Sequence, residues 1–117
     1  MDVLMLQKTM KLLADKTRLR ILFIIYKQEV MVKDICQVLE INQPTVSRHL
    51  AKLRMLGIIV DRREGNAIYY HIDNDREHFR VIEVIMDECK NIEIFKMDIE
   101  KFNALSDEKT ERGANNE

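Results

Sequence analysis

The chain has 117 residues, of which 46% are hydrophobic and 33% charged, with a formal net charge of −1. This composition fits one soluble globular domain with a single modest core and excludes a wholly disordered chain. The longest uncharged apolar run, residues 21–26, is far shorter than the roughly 20 residues that span a bilayer. No secretory signal pattern is visible, and two cysteines make no disulfide framework, so a cytoplasmic location is expected.

The charge is divided unevenly along the chain. Residues 1–72 carry 12 Lys/Arg against 7 Asp/Glu, whereas residues 73–117 carry 7 against 13. Such an asymmetry indicates a polyanion-binding surface beside a segment with another role. With 3 glycines and 1 proline the chain has little material for an all-β fold. We therefore predict a mainly α fold with a small β-hairpin.

Helical periodicity predicts three helices in the first third of the chain. Residues 3–14 have apolar side chains at core spacing. Asp15 or Thr17 can cap a second helix, whose apolar side continues to Tyr26. After a short extended link, KDICQVLEI (33–41) predicts a third, short helix.

A fourth helix is predicted from NQPTVSRHLAKLRMLG (42–57), with Asn42 or Gln43 as its cap. Pro44 falls in the first turn, where its missing N–H costs nothing, and Gly57 follows the end of the helix as a C′ residue.

The two sides of this fourth helix differ in chemistry. At roughly 100° per residue, the apolar residues from Val46 to Leu53 form one stripe. Thr45, Arg48 and Lys52 fall on the opposite side. A buried helix would carry leucines there, so this basic face needs another explanation.

The rest of the chain predicts a hairpin, a further helix and a tail. IIVDR (58–62) and AIYYHI (67–72) alternate as two strands around a glycine-containing tip. A fifth helix is predicted from Asp75 to about Ile92, running on or restarting toward residue 105. Residues 106–117 are almost without apolar side chains, so we predict one domain over 1–105 and a disordered C-terminal tail.

This order of elements is that of a winged helix-turn-helix with N- and C-terminal dimerisation helices. In that arrangement the helix after the turn enters the major groove, and the hairpin reaches toward the minor groove or phosphates. Arginine pairs with guanine, glutamine with adenine, and the threonine methyl with thymine. The predicted DNA-binding residues are Gln43, Thr45, Ser47 and Arg48 toward the bases, and His49, Lys52, Arg62 and Arg63 toward phosphates.

Three segments resemble the ArsR-type (arsenic-repressor) family of bacterial and archaeal winged-helix regulators: LADKTRLRIL (13–22), INQPTVSRHLAKLRMLGII (41–59) and RREGNAIYYHI (62–72). The resemblance, over roughly residues 5–92, implies a homodimeric repressor that occupies a palindromic operator and is released by an inducer, often a metal ion. It also implies that helices 1 and 5 form the dimer interface. The corresponding residues are Leu6, Met10, Phe79, Ile82, Ile85, Met86 and Cys89.

The inducer sites implied by the resemblance are altered in this chain. At the family's Cys-x-Cys positions stand Met31 and Lys33, and neither a thioether nor an ammonium group suits a borderline cation. Arg76 and Lys90 interrupt the two ligand pairs of the family's helix 5 site. No metal site or cofactor is therefore assigned. Four nearby groups are typical of a solvated acidic face, with a shifted Zn²⁺, Ni²⁺ or Co²⁺ site as the alternative: Asp75, His78, Asp87 and Glu88.

The two cysteines leave a thiol response open. Cys36 is interpreted as a small core residue. Some relatives sense sulfide or oxidants through one cysteine on helix 2 and one late on helix 5. Cys89 falls at the second position, but Phe23 occupies the first. A disulfide would have to join Cys89 to Cys36 or to the Cys89 of a second copy.

The sequence therefore predicts a DNA-binding transcriptional regulator, a dimeric repressor with double-stranded DNA as partner, no membrane partner and an unknown effector. Two alternatives remain: a winged-helix module for protein interaction or dimerisation, and a redox- or sulfide-responsive repressor acting through Cys89. An enzyme is disfavoured, since the chain shows no glycine-rich phosphate loop, metal-ligand quartet or nucleophile–base motif.

Overall fold

The computed structural model describes residues 1–115, with side chains as far as Lys109. In that part of the chain the elements are α1 Val3–Leu13, α2 Lys16–Lys27, α3 Val32–Leu39, α4 Gln43–Met55, β1 Ile59–Glu64, β2 Ala67–Ile72, α5 Phe79–Cys89 and α6 Glu93–Asn115. The predicted fold, mainly helical with one small hairpin, is confirmed. None of the described helices is long and apolar enough to cross a membrane.

Side-chain caps fix the beginnings of α2 and α4. The carboxylate of Asp15, rather than Thr17, accepts the backbone N–H three residues later at 2.8 Å. The amide oxygen of Asn42, rather than Gln43, does the same at 2.9 Å. Each such cap stabilises its helix by about 1 kcal/mol. Pro44 lies in the first turn of α4, as predicted.

Gly57 ends α4 and starts the hairpin. Its φ of +81° lies in the left-handed region that favours glycine. Its N–H donates to the carbonyl of Arg54 at 2.9 Å, and the N–H of Ile58 donates to the carbonyl of Leu53 at 3.0 Å. This pair of bonds is a Schellman motif, which satisfies the last carbonyls of the helix. The hairpin therefore follows α4 without a flexible connection.

The hairpin is short, antiparallel and tied to the helical body. Its strands pair to their last residues and leave Gly65 and Asn66 as a two-residue turn, with φ of +61° at the glycine. A positive φ at the first position only is the pattern of a type II′ turn, which matches strand twist. Val30 adds a bridge to Tyr70, with N–H···O distances of 3.2 and 2.8 Å. The base of the hairpin is thus fixed beside the start of α3.

The core is built around α2. Its residues 21–25 are each at most 2% exposed, so the helix is covered on several sides. On one of those sides lies α6, whose Phe95 and Phe102 are buried. The rings of Phe23 and Phe95 meet edge to face, with centroids 5.4 Å apart.

The C-terminal region corrects the prediction. The chain breaks after α5 and restarts as α6, which remains helical to Asn115, so residues 106–115 are not a disordered tail. Residues 116–117 lie outside the described part. The ammonium of Lys109 donates to the carboxylate of Asp34 on α3, which anchors the helix beyond its last buried residues. Extending a helix that is already nucleated is cheap, so this anchor is sufficient.

The predicted dimer residues fall into two groups. On α5, Ile82, Met86 and Cys89 are at most 4% exposed, and Phe79 and Ile85 are partly buried against the same core. The first three side chains face the subunit's own interior because α5 packs on α2, which corrects their assignment to an interface surface. On α1, Leu6 and Met10 are 42% and 53% exposed.

Candidate nucleic-acid interface

The polar side of α4 faces solvent. The stripe from Val46 to Leu53 is buried, whereas Arg48 and Lys52 on the far side are exposed. The guanidinium of Arg48 donates to the hydroxyl of Thr45 at 3.3 Å, which aligns the two side chains along the helix. The predicted division of this helix into an apolar and a basic face is confirmed.

The N-terminal end of α4 carries a positive field. Its first turn contains no acidic residue, and unpaired N–H groups there give the end of a helix a partial positive charge. Gln43 is exposed at this end, while Thr45 and Ser47 are partly exposed. Phosphates and the acceptor-rich edges of bases suit such a surface.

A tight turn sets α4 against α3. The two helices are separated by residues 40–42, and Glu40 adopts the left-handed conformation with φ of 55° and ψ of 46°. The N–H of Ile41 donates to the carbonyl of Cys36 at 3.2 Å, which closes the end of α3. Two helices joined by a three-residue turn are the arrangement of a helix-turn-helix.

His49 points toward the protein rather than toward the exposed face. Its Nδ1 lies 3.2 Å from a guanidinium nitrogen of Arg18 on α2. Desolvation lowers the pKa of His49, with Asp15 opposing the shift, so the ring is neutral near pH 7. A neutral ring that accepts from Arg18 joins α4 to α2, and this geometry does not support the predicted phosphate contact.

The two arginines of the hairpin are in different electrostatic environments. Arg62 donates to Glu29 at 2.8 Å and to Glu64 at 2.8 Å, and these bonds, Glu29 first, raise its pKa. Arg63 has a side chain that is 71% exposed, and the carboxylate of Asp61 lies 3.9 Å away. Arg63 can therefore reach a phosphate, whereas the charge of Arg62 is already neutralised.

The low-priority metal ligands do not converge within one subunit. Among the side chains described, no three His, Cys, Asp or Glu groups come together in a way that could hold a metal ion. His78 is only 3% exposed, and Asp87 pairs with Lys90 at 2.7 Å. Asp75 and Glu88 are exposed.

Both thiols are protonated at neutral pH. Cys36 is partly buried and Cys89 is buried, and desolvation raises the pKa of each. The thiolate is the reactive form of cysteine, so neither residue lies in the electropositive, exposed surroundings that activate a sensor thiol. The interpretation of Cys36 as a small packing residue agrees with this environment.

Sequence reasoning missed a second group of cations beside α4. Lys8 and Lys11 on α1 and Arg18 on α2 lie next to Lys52, around a cavity of about 430 Å³. The spacing of Lys8 and Lys11 shows that they share a face of α1. Nothing local, however, indicates that this face adjoins the end of α4.

An exposed basic helix after a tight turn, followed at once by a basic hairpin, defines a winged helix-turn-helix DNA-binding module. A family model described as "Bacterial regulatory protein, arsR family" matches residues 15–60. A solved structure of a homodimeric winged helix-turn-helix DNA-binding domain from Mycobacterium bovis, a possible ArsR-family regulator, is 32% identical. It superposes with a TM-score of 0.60 over 72% of this chain and 80% of that one. The chain belongs to the ArsR family of bacterial regulatory proteins, which confirms the resemblance.

Curated relatives agree with this assignment. The arsenic resistance transcriptional regulator ArsR1 of Pseudomonas putida is 46% identical over 63 residues, 53% of this chain and 49% of that protein. The transcriptional repressor PagR of Bacillus anthracis is 41% identical over 69 residues, 57% of this chain and 68% of that protein. The chain thus spans about half the length of a relative such as ArsR1.

Proposed function

We propose that this protein is a homodimeric, sequence-specific DNA-binding repressor that occupies an imperfect palindrome. The observation that carries the proposal is the solvent-facing side of α4, where Thr45, Arg48 and Lys52 stand opposite a fully buried stripe. Membership of a regulator family and the printed description of PagR as a repressor support the same role. Repression by occupancy involves no chemical step, so the proposed role is non-enzymatic and cytoplasmic.

In the proposed complex, α4 enters the major groove by its N-terminal end. Arg48 donates two hydrogen bonds to a guanine, Gln43 pairs with an adenine, and Thr45 contacts a thymine methyl. Lys52 and Arg63 neutralise phosphates on either side. Arg62 keeps its ion pair with Glu29 and holds the hairpin in place rather than contacting DNA.

The proposed dimer uses the outward face of α1 together with the exposed part of α5. Val3, Leu4, Leu6 and Met10 are between 42% and 80% exposed on α1, and Val84 is 64% exposed on α5. A cluster of large apolar side chains in water is the usual sign of a protein interface. A two-fold axis there would place the two copies of α4 in successive major grooves, about 34–36 Å apart.

Selection from random duplexes tests the proposal. The full chain is incubated with a randomised DNA library at 100 mM salt, and the retained duplexes are sequenced. We expect an imperfect palindrome with half-site centres about one helical turn apart. Retention without a consensus, or no salt-sensitive retention at all, would contradict sequence-specific binding and favour the protein-interaction module instead.

A further inference from the structure

A cavity separate from the DNA-facing end of α4 lies where α1, α2 and the C-terminal half of α4 meet. Its volume is about 430 Å³, within the usual range of small-molecule sites. The lining has two chemistries, cationic and apolar. The lining residues are Lys8, Lys11, Arg18 and Lys52, and Leu12, Met55 and Leu56.

Arg18 supplies a buried positive charge without a close counterion. It is 8% exposed, its Nε donates to the backbone carbonyl of Leu12, and its Nη1 contacts the neutral ring of His49. No carboxylate among the described side chains lies within 4.0 Å of its guanidinium; Asp15 caps α2 instead and attracts Arg18 only from farther away. Buried charges in proteins are normally paired, so this arginine favours an anion beside it.

The remaining lining sets the size and polarity of that anion. Lys8, Lys11 and Lys52 are exposed and, among the described residues, have no ion-pair partner, so their ammonium groups surround the opening. Leu12, Met55 and Leu56 give the cavity an apolar wall, with Met55 88% exposed. A bare phosphate gains nothing from an apolar wall, whereas an anionic head on an apolar body uses both parts.

We propose that this cavity binds a small amphipathic monoanion, a carboxylate on an aliphatic or aromatic body, with its head at Arg18 and the lysines and its body against Leu12 and Met55. Lys52 and the partner of His49 belong to this site and α4 alike. Resting on the proposed function, the anion is an effector: it draws Lys52 away from a phosphate and weakens DNA binding.

Octanoate is the test probe, titrated into the ¹⁵N-labelled full chain and followed by two-dimensional NMR. We expect saturable shifts of residues around the cavity, one site per chain, with a Kd on the order of 0.1–1 mM for a ligand of this size. Two further titrations separate the parts of the ligand. Octylammonium keeps the body and inverts the charge, and inorganic phosphate keeps the charge and lacks the body; both should bind at least tenfold more weakly.

Exposed positions allow variants that leave the core intact. Lys11→Glu and Met55→Glu each place a carboxylate at the cavity and should weaken octanoate at least fivefold. Lys96→Glu makes the same charge change on exposed α6, outside the cavity, and should bind octanoate as the unaltered chain does. Equal affinity in Lys11→Glu and Lys96→Glu would overturn the proposal. So would the absence of saturable shifts, the result expected if α1 of a second copy fills the cavity.

Failure of the effector proposal and of the repressor proposal can be told apart. DNA affinity without octanoate tests the repressor alone. With DNA binding present, saturating octanoate should raise the Kd for the selected duplex at least fivefold in the unaltered chain and not in Met55→Glu. Phosphate binding as tight as octanoate would instead mark a contact for the DNA backbone and would overturn the small-ligand proposal.

Discussion

Removing the Asp98 carboxylate should detach α6 from α2 and leave a buried guanidinium uncompensated. The Asp98 side chain is 2% exposed and accepts two hydrogen bonds from Arg20, each 2.9 Å long. The hydrogen bond to Asp98 raises the pKa of Arg20, whose side chain is 19% exposed, so the arginine stays charged when its partner is lost. Breaking a buried pair on one side costs about 3–5 kcal/mol, and the residual exposure of Arg20 favours the lower end.

The expected change is large enough to measure by simple unfolding. For a chain of 117 residues, a loss of about 3 kcal/mol corresponds to a fall in Tm of roughly 12 °C. Asp98→Ala is compared by urea and thermal denaturation at one fixed protein concentration, because dimerisation makes stability concentration-dependent. The matched control is Asp107→Ala on exposed α6, which should change stability by less than about 0.5 kcal/mol.

A double variant separates the ion pair from simple packing. Arg20→Met with Asp98→Leu replaces both charges by apolar groups of similar volume, and it should recover most of the stability lost in Asp98→Ala. A loss below about 1 kcal/mol in Asp98→Ala would refute the reasoning, since α6 would then not be held by this pair.

Three further predictions concern DNA binding, pH and assembly. Arg63→Ala should weaken binding to all duplexes about equally and reduce the magnitude of the salt slope by about one, whereas Arg62→Ala should leave the slope nearly unchanged because Glu29 already neutralises that charge; anisotropy titrations at several salt concentrations check both. Burial lowers the pKa of His78 below its ordinary 6.5, so the unfolded chain binds more protons and stability falls as the pH drops through 6.5; His78→Gln should flatten urea stability between pH 7 and 5, and an unchanged slope would exclude His78 as its source. Leu6→Glu with Met10→Glu should convert the dimer to a monomer in sedimentation experiments, while an intact dimer would place the interface elsewhere.

Features encoded by a few neighbouring residues could be predicted from the sequence. The beginning of α4 follows from Asn42 and Pro44, its end from Gly57, and its two faces from helical periodicity alone. The hairpin turn likewise depends on Gly65, whose positive φ the chain needs at that point. In each case the physical cause lies within about four residues of its effect.

Features that join distant parts of the chain could not be predicted in this way. The ion pair between Arg62 and Glu29 spans 33 positions, and the contact between Arg18 and His49 spans 31. Both change the charge available to DNA, yet each residue alone looks like an ordinary polar group. The helical extension past residue 105 depends on a contact of Lys109 on α3, which its polar local sequence does not reveal.

The central claim is that the basic side of α4 reads base sequence. Its most direct test is the affinity of Arg48→Ala for the selected duplex and for duplexes with each half-site base changed in turn. We expect a loss of about 1–3 kcal/mol on the selected duplex and a loss of discrimination at one base pair, with other positions unaffected. Unchanged affinity and unchanged discrimination at every position would contradict the account.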